Sequence, residues 1–245
     1  MSSVVLGGIV FSCLLGAALI GALLRAYLPE HHLSTESRDA IKLATAIVAT
    51  LSAVALGFLT ASAKTSFDHA EVELRMSVAQ AVLLDRVMAH YGPETQEARS
   101  QLRKFVEAQL DRSNRDTPAD DLAIEAVQDE LRSLTPQTAA QRSLQARALE
   151  VSGKIAEAHW LLVETESEQL PWSFVAVLVL WLTLLFATFG LLAPSNATVT
   201  CTLLVCALSV AGAVFLIVDL AHPYLGLIQV SDAPLRTALE QLGRP

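Results

Sequence analysis

The sequence predicts an all-α integral membrane protein. It has four transmembrane helices in two hairpins, and a soluble helical bundle continues from the second helix. Three observations lead there. Hydrophobic residues make up 53% of 245 residues and the mean hydropathy is +0.46, too apolar for an ordinary soluble domain. Charge is absent from Ser2 to Leu24, from Leu43 to Ala63 and from Gln169 to Val218. A bilayer core needs roughly 20 apolar residues at about 1.5 Å each, so the first two stretches hold one helix apiece and the third holds two. The expected organisation is a first hairpin over 1–63, a bundle over 64–171, a second hairpin over 172–219 and a tail over 220–245.

The first helix is expected over Ser3–Leu24. It is read as a span and not a cleaved leader, because it has no basic start and its apolar run is longer than the usual 7–15 residues. Two small-residue seams run along it, Gly8, Ser12, Gly16 and Cys13, Ala17, Gly21, spaced for close helix approach. Pro29, His31 and His32 lie in the loop that follows, and Ser34-Thr35-Glu36-Ser37 offers caps for the second helix. No Pro or Gly interrupts the chain between Phe58 and Tyr91, so the second helix runs on past the membrane to Gly92-Pro93. Beyond Lys64 it carries a heptad: Phe67, Leu74, Ala81 and Met88 at one position, Ala70, Ser77, Leu84 and Tyr91 at the other. That seam has two possible partners, neighbouring copies of the chain or a stripe within it.

Two shorter helices are expected over Glu94–Arg112 and Pro118–Leu134, the latter started by Thr117, Pro118 and Asp120. Thr135-Pro136 repeats the start signal for a long helix to Glu168. Its stripe of Leu144, Ala148, Val151, Ile155, Ala158 and Leu162 is the expected internal partner of the second helix. The remaining spans are expected over Ser173–Ala193 and Ala197–Val218. Asn196-Ala197-Thr198 between them is read as a helix cap and not as a glycosylation site. The tail ends in a short amphipathic helix capped by Ser231 or Asp232.

Several function classes are excluded or disfavoured. Twelve Lys/Arg and 19 Asp/Glu lie between Lys64 and Pro171, a balance of −7 that rules against nucleic acid. No hydrolase elbow, zinc-protease, P-loop or dinucleotide motif is present, so no enzyme is expected. His31-His32 lacks companions at ligand spacing and the three cysteines lie within spans. Neither a metal nor a cofactor is therefore expected. Proton-coupled transporters carry ionisable residues inside their spans, and these spans carry hydroxyls instead. Such hydroxyls either line water or bond back to their own helix. The second helix has the densest set, with Lys64 and Asp68 at its exit. Thr45, Ser52 and Lys64 are the candidates for lining a pore, and Leu56 and Leu59 are those that would plug it.

The run Leu28-Pro29-Glu30-His31-His32-Leu33-Ser34 with Glu36-Ser37-Arg38, and Ala61-Ser62-Ala63-Lys64 with Ser66-Phe67, resemble bacterial bestrophin-like membrane proteins. So do Tyr91-Gly92-Pro93, Phe186 to Gly190, Asn196 to Thr198, Ser209 to Ala213 and Pro223 to Leu235. The resemblance covers nearly the whole chain. Through bestrophins themselves it implies a homo-oligomeric anion channel, with inorganic ions and the lipid bilayer as its other partners. It also implies residence in the bacterial cell membrane, with bundle and termini cytoplasmic. Basic residues near the span ends divide evenly, Arg25, Arg38 and Lys42 against Lys64, Arg75 and Arg236, so charge alone does not orient the chain. The alternative function is a non-conducting scaffold whose acidic bundle binds a protein partner.

Overall fold

The computed structural model describes residues 3–27, 34–114, 123–165, 172–194, 196–224 and 226–243. Among these, every regular element is helical: α1 Ser3–Tyr27, α2 Thr35–Tyr91, α3 Gln96–Asn114, α4 Ala123–Ser133, α5 Ala139–Thr165, α6 Trp172–Leu192, α7 Ala197–Leu220 and α8 Ala233–Gln241, with a 3-10 turn at Pro93–Thr95. The helices α1, α2, α6 and α7 are each long and apolar enough to cross a membrane. The chain divides into two compact units, Met1–Phe67 with Gln169–Ile228 and Asp68–Glu168 with Gln229–Pro245.

In the membrane unit, lipid tails are as apolar as Leu, so helices are held by close packing instead of by exclusion of water. Helices α1 and α6 approach closely at two glycines. A Cβ at Gly21 would lie 2.0 Å from the Ala187 carbonyl oxygen, and one at Gly190 would lie 2.0 Å from that of Ala18. Each helix therefore needs a glycine where the other's backbone passes. Of the two seams on α1, Ala17 and Gly21 are buried there, whereas Gly8, Ser12 and Cys13 stay exposed. Leu14, Ala18, Leu178, Leu182, Leu185, Phe186, Ala211 and Val214 fill the core around the crossing, and Leu59 and Ala63 of α2 join them. Arg25 donates to the Ala193 carbonyl, capping the end of α6.

Helix α2 runs unbroken for 57 residues, about 85 Å at 1.5 Å each, as the absence of Pro and Gly predicts. Ser34 starts it by accepting from the Ser37 N–H at 3.3 Å. Gly92 stops it with φ 136°, a conformation few other residues adopt. Thr95 then donates to the Met88 carbonyl at 2.7 Å, reinforcing the longer 3.4 Å bond that this acceptor receives from the Gly92 N–H.

In the bundle, α3 packs on α4, α4 on α5, and α3 on α8. Leu84, Met88, Leu102, Val106, Ile124, Val127, Leu131 and Ile155 are among its large fully buried side chains. The predicted heptad on α2 is inside: Ala70, Leu74, Ser77, Ala81, Leu84, Met88 and Tyr91 are all buried, and Phe67 at its start is half-buried. It is consumed within the chain and cannot be the surface that joins neighbours. Helix α5 begins later than Thr135-Pro136 suggests, because Thr138 and Gln141 form a reciprocal cap. The Gln141 N–H donates to Thr138 Oγ1 at 3.1 Å, and Gln141 Oε1 accepts from the Gln137 and Thr138 N–H groups at 2.9 and 3.3 Å. Asn196 does cap α7, accepting from the Val199 N–H at 2.9 Å. At α8 neither expected cap closes the first turn from the N-cap position. Asp232 instead pairs with Arg236 at 2.7 Å, and Ser231 accepts from the Ala233 N–H at 3.3 Å. The Thr117 start signal and the His31-His32 pair lie outside what the structure describes.

Candidate functional site

The membrane stretch of α2 has three faces. The first, with Val48, Ser52, Leu59 and Ala63, turns into the protein's own core. The second is a stripe of large apolar side chains open to the outside: Leu43, Ile47, Leu51, Val54 and Phe58, between 48% and 69% exposed. The third is also open but is built of small and hydroxyl residues, Ala46, Thr50, Ala53, Gly57 and Thr60, and ends on Lys64. At about 100° per residue these six fall within roughly a quarter-turn of one another.

The six candidate residues therefore separate. Ser52 and Leu59 are buried at 3% each, in contact with the helices of their own chain. Thr45 and Leu56 are half-buried at the edge of that contact. Only Lys64 and Asp68 lie exposed, and Lys64 Nζ sits 5.5 Å from the centroid of the Phe67 ring. Thr45 also lines an open groove of about 510 Å³ with Lys42, Ala46, Ala49, Phe189 and Leu203.

The intramembrane hydroxyls bond back to their own helices. Thr45, Thr50, Ser52 and Thr60 donate to the carbonyls of Ile41, Ala46, Val48 and Leu56 at 2.7 to 2.9 Å. Thr183, Thr202 and Ser209 do the same on α6 and α7. Their protons are committed to the backbone, so the hydroxyls on the open stripe of α2 present lone pairs outward. Positive charge on this face comes from Lys64 at one end and from Lys42, paired with Asp39 at 3.0 Å, at the other.

Two buried acids have roles that the residue pattern did not reveal. Asp219, fully buried at the end of α7, accepts from the Leu227 and Ile228 N–H groups at 3.0 and 2.8 Å. A Cβ at Gly226 would come 2.8 Å from its Oδ1, so the turn closes only around a glycine. In the bundle, Asp85 receives Arg99 through two bonds of 2.7 and 3.0 Å, and the Gly243 N–H approaches its Oδ2 at 3.4 Å. Hydrogen bonding to Asp85 raises the Arg99 guanidinium further above its already high pKa, against the opposing effect of burial. Among the described residues no group of His, Cys, Asp and Glu is placed to hold a metal.

Four apolar helices around a small-residue crossing, with the second prolonged into a helical bundle, define a multi-pass membrane protein. The Bestrophin-like domain matches residues 12–235, nearly the whole chain, and the protein belongs to that family. No curated protein and no solved structure matches it.

Proposed function

We propose that the protein is a homo-oligomeric ion channel whose pathway is lined by the small and hydroxyl stripe of α2. The supporting observation is the division of that helix's open surface. The stripe of Leu43, Ile47, Leu51, Val54 and Phe58 suits lipid. The neighbouring stripe from Ala46 to Lys64 is thin and polar, and suits water. One chain leaves this stripe open to one side, so an enclosed pathway requires several copies around an axis. Because the hydroxyl protons are held by the backbone, the lysines set the sign of the field, Lys64 at the bundle-side end, and anions are the preferred charge. Asp68, one turn further, opposes it. The bundle and both termini are assigned to the cytoplasmic side of the bacterial cell membrane, on the family resemblance.

Planar-bilayer recording of purified protein tests the reading. The wild type should conduct, and Lys64→Glu should move the reversal potential in a salt gradient toward that of cations. Absence of conduction above background leaves the scaffold reading, with the acidic bundle as its binding surface. Conduction with unaltered selectivity removes Lys64 from the pathway. Labelling Gln137→Cys with an impermeant reagent in intact cells checks the orientation, since the site is exposed and lies in the bundle. Labelling before lysis would reverse it.

A further inference from the structure

Beyond Lys64 the outward face of α2 carries a second apolar seam, Val72, Met76, Ala79 and Leu83. Its spacing of four, three and four is that of a heptad. Val72, Met76 and Leu83 are 53%, 55% and 42% exposed. These positions lie about 12 to 28 Å along the helix past Lys64, too far for lipid tails to cover them all. Glu73 and Arg75 flank the seam with opposite charges. Around a quarter-turn further about the same helix is an open groove of about 600 Å³ between α2 and α8. Val78, Val82, Val230 and Pro234 line it together with Glu71, Arg75 and Thr237, and Ala79 of the seam borders it.

We propose that the Val72–Leu83 ridge of one copy seats in the α2/α8 groove of the next, and that this contact forms the soluble part of the subunit interface. The proposal rests on the oligomeric reading above and names its contact surface. Ridge and groove occupy the same stretch of α2, residues 72–83 against 71–82, so a rotation about an axis parallel to the helix superposes them without a shift along it. Head-to-tail contacts of that kind close into rings; an axial shift would build a filament. An apolar ridge and a groove lined by Val78, Val82, Val230 and Pro234 with polar neighbours also match in chemistry. This second seam is distinct from the heptad buried within the chain.

The test uses the full-length protein in detergent with Cys13, Cys201 and Cys206, all exposed, replaced by Ser. Two differently tagged copies are co-expressed, one with Met76→Cys and the other with Thr237→Cys. Oxidation should give a mixed-tag dimer, and Met76→Cys beside Glu150→Cys should give none. Leu83→Glu should shift the measured mass toward that of one 26.3-kDa chain while leaving the helical circular dichroism unchanged. Met76→Glu, at a more exposed site, should act the same way if Leu83→Glu misfolds. A multi-chain mass that survives both charges, without the 76–237 cross-link, overturns the ridge and groove but leaves the oligomer standing. A 76–76 cross-link in place of 76–237 also overturns it. A wild type that is itself a single chain removes both the contact and the channel assembly.

Discussion

Substituting Gly21 or Gly190 by Ala probes the α1–α6 crossing, and its cost follows from distances. Each new Cβ would stand 2.0 Å from a backbone carbonyl oxygen of the facing helix, where real Cβ contacts essentially never fall below 3.0 Å. The obstacle is backbone, so no rotamer change relieves it and the helices must part by about 1 Å. A gap of that size forfeits about a quarter to a half of each dispersion contact along the seam. Overpacking of this kind costs roughly 1–3 kcal/mol, and a clash against backbone belongs at the upper end. Gaining Ala in a helix returns up to about 1 kcal/mol. A net loss of about 2 kcal/mol corresponds to a fall of roughly 4–8 °C in melting temperature for a chain of this size. Thermal unfolding in detergent, followed by circular dichroism, measures it. The double variant is the sharper test, because one retreat of α6 relieves both clashes. It should cost little more than the worse single variant, well short of the sum. Gly16→Ala is the control: nothing lies within 4 Å of the added methyl, so stability should hold or rise slightly. Single-variant losses under about 1 °C, or a double variant equal to the sum, would refute the reasoning.

Two further substitutions test the buried acids. Asp85→Ala leaves the Arg99 guanidinium, 20% exposed, without its carboxylate; it should cost roughly 3–5 kcal/mol in detergent unfolding, and a loss under about 1 kcal/mol would remove this pair from the bundle's stability. Asp219→Ala orphans two backbone N–H groups at roughly 1–3 kcal/mol each, so trypsin should cut more readily at Arg236, and digestion at the wild-type rate would show that the carboxylate does not hold the tail.

The spans, the long second helix and its stop at Gly92 were legible because they rest on composition and on where Gly and Pro fall. Asn196 was legible as a cap because its residue type and its position before an apolar run agree. The start of α5 was misplaced because Thr135-Pro136 mimics a helix start, while Thr138 with Gln141 three residues on holds the working cap. On α2, spacing identifies which residues share a face and cannot say which face the rest of the chain covers. The heptad through Leu74 and Met88 is inside, and the seam through Met76 and Leu83 is outside. The same ambiguity placed Ser52 and Leu59 among pore candidates, although both turn inward. Asp219 left almost no trace, since backbone N–H groups are the same at every residue but proline. Gly226 alone marked the fold-back.

The fold-back has a consequence for the order in which the chain is made. The two N–H groups that satisfy Asp219 belong to residues eight and nine positions further on. When the last turn of α7 first leaves the ribosome, its carboxylate has no protein partner and keeps its hydration. The residue that later becomes fully buried is thus synthesised as a wet acid at the edge of an apolar helix, and near an interface a charge costs less than at mid-bilayer. Only when Gly226 to Ile228 have emerged can the water be replaced and the end of α7 sealed. Insertion of the last span and closure of its end are separate events, and the second waits on the nine residues that follow Asp219.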